Sequence, residues 1–102
     1  MSVAILYRWR VEPGHEESFK SSWREATLRL RAGGIAQGSS LTRDENGDFV
    51  GIALWPSLAA RDEAFAAMPA GQSWPGVTKL SETRLSVIEN LWAASALDPD
   101  QA

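Results

Sequence analysis

The chain has 102 residues, a net charge of −3 at pH 7 and no cysteine. This length supports one hydrophobic core, so we expect residues 1–102 to form a single domain. The acidic balance argues against nucleic acid as a partner, because no basic stripe is available to neutralise phosphates. Without cysteine there are no disulfides and no thiolate nucleophiles or metal ligands. No stretch is apolar and long enough for a membrane span or a signal peptide, which indicates a cytoplasmic protein.

The first predicted elements are a strand and an amphipathic helix. Val3–Val11 alternates like a strand, and Pro13-Gly14 ends it. Its apolar face consists of Val3, Ile5, Tyr7, Trp9 and Val11. A helix is predicted over His15–Arg31, where Gly33-Gly34 stops it. The apolar stripe of this helix consists of Phe19, Trp23, Ala26, Thr27 and Leu30.

A hairpin that leads into a second helix is predicted next. Ile35–Arg43 is the weaker strand, expected at a sheet edge, and Phe49–Trp55 is rich in strand-forming residues. Asn46-Gly47 predicts a two-residue turn with positive φ at both positions. Pro56 cannot continue the strand, and Ser57 is a suitable N-cap for a helix over Leu58–Met68. The apolar side of that helix consists of Leu58, Phe65 and Met68, with Ala64 alongside.

The C-terminal part of the sequence is ambiguous. Ala70–Gly76 is predicted as a loop, followed by a short helix or turn over Val77–Thr83 and a strand over Leu85–Ala93. A helical stripe through Leu80, Arg84, Val87 and Leu91 is the alternative. Asp98–Ala102 is expected to be a frayed tail.

The order β-α-β-β-α-β predicts a ferredoxin-like α+β fold with a four-stranded antiparallel sheet. Right-handed crossovers place both helices on one face of the sheet and make the first and third strands central. Val50, Ile52 and Leu54 then lie on the opposite face, beside Arg8 and Arg10. Because a monomer would leave this apolar surface bare, we predict a homodimer that packs sheet to sheet. The arginines are expected to pair with Glu89 or another acid.

A pocket is predicted beside Trp55, at the junction of the third strand and the second helix. Gly51 and Ala53 on the same face leave space next to the indole, and such an apolar cavity suits a flat aromatic ligand. A plug beneath the helix is the other interpretation of Trp55. The Tyr7 hydroxyl could bind a substrate oxygen or an internal partner.

Other side chains also have a structural and a functional interpretation. Phe19 and Trp23 lie on a regular stripe that indicates core packing, though they could line a pocket as well. His15 is the single imidazole and a possible general base, but it falls in the first helical turn. Trp74 could close a pocket or anchor its loop. The acids around Asn46-Gly47 indicate a solvated turn rather than a metal site.

Three segments carry a resemblance to a known family. They are Tyr7–Phe19, Trp23-Arg24 and Asp48–Ser57, the last reading DFVGIALWPS. The chain resembles the antibiotic biosynthesis monooxygenase-like family of the dimeric α/β-barrel group. The resemblance implies a sheet-to-sheet homodimer in which each protomer holds a pocket between helices and sheet.

Two kinds of chemistry follow from the resemblance. Quinone-forming members oxidise aromatic polyketides with O₂ and no metal or flavin; their pocket tryptophan matches Trp55, while their asparagine falls at Gly51. Haem-degrading members have an asparagine at the position of Tyr7 and a haem-ligating histidine on or after the second helix, where Leu58–Trp74 contains none.

We therefore predict a cofactor-independent monooxygenase-like protein that binds a small aromatic molecule, with no metal. Trp55 and Tyr7 are the predicted catalytic residues. The predicted substrate-binding residues are Trp9, Phe19, Trp23, Gly51, Ala53 and Phe65. The alternative is a non-catalytic dimer of the same fold, which binds a small molecule or is filled by its own side chains; haem degradation is a weaker third hypothesis.

Overall fold

The computed structural model describes residues 2–34, 37–67 and 74–92 of a βαββαβ unit. Its elements are β1 (Val3–Val11), α1 (Glu16–Ala32), β2 (Ser39–Arg43), β3 (Phe49–Trp55), α2 (Leu58–Ala66) and β4 (Val77–Ser86). The four strands form one antiparallel sheet in the order β2-β3-β1-β4. The predicted ferredoxin-like α+β class, with β1 and β3 central and β2 at an edge, is confirmed.

The core lies on one face of the two central strands. In β3 every second residue is buried, from Phe49 to Trp55, as strand periodicity requires. The pairing of β1 with β3 sets Tyr7 opposite Gly51 and Val3 opposite Trp55. Tyr7 and Trp55 therefore leave the same face of the sheet, as the sequence predicts.

The hairpin between β2 and β3 differs from the prediction. The backbone N–H of Asp44 donates to the carbonyl of Asp48 at 2.9 Å, which leaves a three-residue loop instead of two. Gly47 has φ of 86°, and no residue other than glycine has positive φ in the described ranges. The Asp44 carboxylate accepts the N–H groups of Asn46 and Asp48, at 2.9 and 3.0 Å. This side chain stabilises a turn that needs only one glycine.

The prediction for the C-terminal part was wrong. Val77–Ser86 forms one continuous strand paired along β1, with a register shift between Arg8 and Trp9. The residues that pair opposite the buried face of β1 include Lys79, Glu82 and Arg84, so β4 has no alternation of apolar and polar residues. Its strand conformation comes from the free edge of β1, which the sequence of β4 alone does not reveal.

The bounds of three other elements also moved. The first helix runs from Glu16 to Ala32, β2 begins at Ser39 rather than Ile35, and α2 ends at Ala66 rather than Met68. Ser57 caps α2 as predicted, its hydroxyl accepting the N–H of Ala60 at 3.0 Å. The predictions for Ile35, Met68, residues 70–73 and residues 93–102 lie outside the described ranges.

The outer face of the sheet carries the two arginines of β1. Arg8 pairs with Asp44, and the Arg10 Nε lies 3.2 Å from an oxygen of Asp48. The hairpin acids rather than Glu89 are thus the partners, because the β2–β3 turn lies at the same end of the sheet. Asp48 is buried, so this turn is less solvated than the sequence suggests. Across the described ranges, no helix combines the length and apolarity that crossing a membrane requires.

Candidate functional site

A buried arginine lies between α2 and the sheet. Arg61 is only 8% exposed, although it belongs to a helix whose predicted apolar side did not include it. It falls on the same stripe as Leu58 and Phe65, at helical spacing, and its guanidinium carbon lies 3.9 Å from the centre of the Phe65 ring. The flat cation thereby covers apolar surface while its N–H groups face polar partners.

Arg61 connects β1 to β4. Its Nη2 donates to the Tyr7 hydroxyl at 3.1 Å and to a Glu82 carboxylate oxygen at 2.9 Å. Its Nε lies 3.4 Å from the same hydroxyl, and its Nη1 donates to Asp62 at 3.1 Å. All three guanidinium nitrogens are therefore hydrogen-bonded, which a buried cation requires.

The network shifts two pKa values in directions that suit a fixed arrangement. Burial alone would raise the pKa of Glu82, but the neighbouring Lys79, Arg61 and Arg84 outweigh it and hold that pKa below its usual range. Burial raises the pKa of the Tyr7 hydroxyl above its usual value, and Arg61 opposes this only in part. Tyr7 is therefore a neutral phenol and Glu82 a carboxylate at neutral pH.

Trp55 lies at the end of the site near the start of α2. It is 2% exposed, and its ring meets the edge of the Phe65 ring at 6.1 Å between centres. Its indole Nε1 is buried and has no hydrogen-bond partner among the residues that the structure describes. A buried donor without an acceptor costs about 1–3 kcal/mol, so such a group is normally paired.

A second aromatic group fills the other end of the same face. Trp9 stacks on Tyr7 with 5.5 Å between ring centres and meets Phe19 edge-on at 5.3 Å. Phe19 in turn packs against Phe49 and Trp74, at 5.1 and 5.4 Å. These contacts anchor the segment at Trp74 to the core, which is the structural interpretation of that residue.

Gly51 does not open space beside Trp55 as the sequence suggests. A Cβ atom at Gly51 would lie 2.9 Å from the Trp9 ring and 3.7 Å from Nε1 of Trp23. The indole of Trp9 thus occupies the volume above Gly51. Ala53, which is buried opposite Ile5, lies between that filled region and Trp55.

The predicted site residues therefore form two groups on one face. Trp55 and Phe65 are near one end, whereas Trp9, Phe19, Trp23 and Gly51 are at the other. The four residues from Gly51 to Trp55 correspond to roughly 13 Å along a strand, and Arg61 bridges this interval. Sequence reasoning missed Arg61, although its helical spacing from Leu58 and Phe65 is a usable signal.

Neither a metal site nor a general base is assembled around His15. Its ring lies against Gly76, where a Cβ atom would approach within 2.5 Å, at the start of α1. Within residues 2–34, 37–67 and 74–92 no three histidine or acidic side chains come together to hold an ion.

Solved structures share this architecture. SnoaB, a cofactor-independent oxygenase from Streptomyces nogalater, is 19% identical with a TM-score of 0.69, over 88% of this chain and 96% of that one. A putative monooxygenase from Shewanella loihica PV-4 is 15% identical with a TM-score of 0.71, over 87% and 96% of the two chains. Heme-degrading protein Rv3592 from Mycobacterium tuberculosis is 18% identical with a TM-score of 0.62, over 90% and 100%.

These similarities define a class of fold. The chain has the ferredoxin-like fold of monooxygenase-like proteins, so the resemblance seen in the sequence is confirmed at the level of the fold. At identities of 15–19% the similarity shows the fold alone. No protein-family model matches the chain, and no curated protein matches it either.

The site does not fit a haem iron. An axial ligand is usually a histidine, a cysteine or another donor with a free lone pair. Here α2 directs Arg61, a cation without a lone pair to offer, toward Tyr7. The single histidine lies at the start of α1, against Gly76.

Proposed function

We propose that the protein is a cofactor-independent monooxygenase-like homodimer that binds a small aromatic molecule between the sheet and the helices. The observation that carries the proposal is the buried indole N–H of Trp55, for which the described residues supply no acceptor. A ligand oxygen would satisfy this donor, and the rings of Trp55 and Phe65 would stack on the ligand.

The fold supports the same proposal. SnoaB is a cofactor-independent oxygenase, and the Shewanella loihica protein is a putative monooxygenase. The chain matches the resemblance at Trp55 and departs from it at Gly51, where Trp9 fills the space that an asparagine side chain would need. The substrate is therefore held by a different set of groups, with Trp55 and Tyr7 as the donors.

The proposed chemistry needs an electron-rich substrate and O₂. In an anthrone, the ring carbon opposite the carbonyl loses two hydrogens and gains one oxygen atom as a new carbonyl. The second oxygen atom of O₂ leaves as water with those two hydrogens, so four electrons pass from substrate to oxygen. The protein contributes orientation, exclusion of water and hydrogen bonds to the substrate oxygens.

A non-catalytic binding protein is the second candidate. The packing of Trp9 over Gly51 favours it, because this part of the predicted pocket is filled by the protein's own side chain. In that case Trp55 binds the aromatic ligand without turnover.

Oxygen uptake with a panel of hydroxylated anthrones tests the proposal. We expect one O₂ consumed per anthrone, faster than the reaction without protein. Trp55→Phe should lower the rate by about tenfold, the equivalent of one lost hydrogen bond. The matched control is Trp92→Phe, which changes an exposed tryptophan and should leave the rate unchanged. Uptake no faster than without protein, combined with ligand binding, would select the non-catalytic candidate.

A further inference from the structure

The contacts of Arg61 determine the role of the Tyr7 hydroxyl. An arginine donates hydrogen bonds and accepts none, so the Tyr7 oxygen is the acceptor of both contacts from Arg61, at 3.1 and 3.4 Å. The proton of that hydroxyl must then point to another group. Within the part of the chain that the structure describes, no hydrogen bond donated by Tyr7 is present.

The nearest carboxylate is already occupied by cations. One oxygen of Glu82 accepts from Arg61 at 2.9 Å and from Lys79 at 3.2 Å, and the other accepts from Arg84 at 3.3 Å. Glu82 therefore anchors Arg61 instead of receiving the Tyr7 proton. The hydroxyl is left with a donor function and no recipient.

The surroundings favour a partly negative recipient. The positive groups of Arg61, Lys79 and Arg84 outnumber the carboxylates of Glu82 and Asp62, all five being linked by ion pairs of 2.9–3.9 Å. The Lys79 nitrogen lies 6.0 Å from the centre of the Tyr7 ring. An oxygen with partial or full negative charge is stabilised at such a place.

We propose that Arg61 is a positioning residue that fixes the Tyr7 hydroxyl as a hydrogen-bond donor to a phenolate or carbonyl oxygen of the bound aromatic ligand. This inference rests on the proposed function and specifies its substrate class. Glu82 holds the guanidinium from β4, and the Phe65 ring supports its flat side. The raised pKa of Tyr7 agrees with this role, because the hydroxyl keeps its proton at neutral pH.

Calorimetric titration with 2-naphthol and with naphthalene tests the inference, since the two probes differ by one hydroxyl. We expect the native protein to bind 2-naphthol more tightly than naphthalene. Tyr7→Phe should reduce the affinity for 2-naphthol by about fivefold or more and leave that for naphthalene unchanged. This selectivity ratio would not change if Tyr7 were only a packing residue.

The positioning role is tested by a variant that leaves Tyr7 in place. Arg61→Met combined with Glu82→Gln removes the guanidinium without leaving a buried carboxylate unpaired, and it should reduce the preference for 2-naphthol by a similar factor. Arg29→Met, on an exposed part of α1, is the control and should have no effect. If the double variant does not fold, Tyr7→Phe decides the question alone.

The outcomes separate this inference from the proposed function. An unchanged preference for 2-naphthol in Tyr7→Phe would overturn the inference, while binding of both probes would still support an aromatic site. Failure of the native protein to bind either probe would overturn both.

Discussion

At the scale of single residues, the unusual feature is a charged side chain on the stripe where α2 meets the sheet. Arg61 is compensated by partners 54 and 21 residues away in sequence, Tyr7 and Glu82. Removing one partner of such a group leaves a buried charge, which is more costly than never having buried the pair. The network therefore constrains substitution at all three positions.

The state of Glu82 gives the first prediction. Its carboxylate is stabilised in the folded protein, so its pKa is lowered and its contribution to the free energy of unfolding is present above the ordinary glutamate pKa of about 4.3. The contribution is lost as the pH falls through the lowered pKa. Thermal unfolding between neutral pH and about pH 3 should show a smaller decrease in melting temperature for Glu82→Gln than for the native protein.

A matched control is Glu25→Gln, because Glu25 belongs to an exposed ion pair on α1. It should follow the native pH profile. Identical profiles for the native protein and Glu82→Gln would contradict the assigned role of Glu82.

The sequence predicted which face each strand residue occupies, but not the burial of Arg61. The side chains of Tyr7, Trp9 and Trp55 follow a period of two, which any exposed alternation in the sequence reveals. The position of Arg61 depends on where β1 and β4 lie relative to α2. Such tertiary contacts are not encoded in local spacing.

At the scale of elements, the sheet was predictable where the strands carry their own pattern. β1 and β3 have the predicted bounds, whereas β4 was misassigned because its inward residues are charged. The β2–β3 hairpin was placed correctly but with the wrong turn. The Asp44 carboxylate bonds two backbone N–H groups there, and a longer loop with one positive φ results.

The contact between β1 and β3 gives the second prediction. Gly51→Ala places a methyl group 2.9 Å from the Trp9 ring, so the ring must move. We expect a loss of about 1–3 kcal/mol in the free energy of unfolding, measured by urea denaturation.

A second substitution distinguishes this steric effect from a general one. Trp9→Phe removes the ring atoms that the new methyl group meets, so Gly51→Ala should cost less in the Trp9→Phe background than alone. Equal costs in both backgrounds would show that the contact with Trp9 is not the cause.

At the scale of the whole molecule, the two faces of the sheet differ. One face is covered by the helices, while Val50, Ile52 and Leu54 lie on the other with Ala4 and Leu6. Beyond β4, the side chains of Ile88 and Leu91 are 90% and 84% exposed. Apolar surfaces of this kind are typical of an interface, which is the basis of the predicted homodimer.

The third prediction concerns that interface. Ile52→Asp places a charge at the centre of the apolar face, and burying it unpaired costs about 2–5 kcal/mol of association free energy. Sedimentation velocity should show a dimer for the native protein and a monomer for Ile52→Asp. Ala59→Asp, at an exposed position on α2, should remain dimeric. A native protein that sediments as a monomer at micromolar concentration would rule out the homodimer.

The central claim is that the buried indole N–H of Trp55 binds an oxygen of an aromatic ligand. Two-dimensional ¹⁵N–¹H spectra resolve the indole signals of the five tryptophans, and the signal that disappears in Trp55→Phe belongs to Trp55. Adding 2-naphthol should move the Trp55 proton downfield, because it gains an acceptor, and Trp92 should not shift. A Trp55 signal that stays in place while 2-naphthol binds would contradict the proposed site.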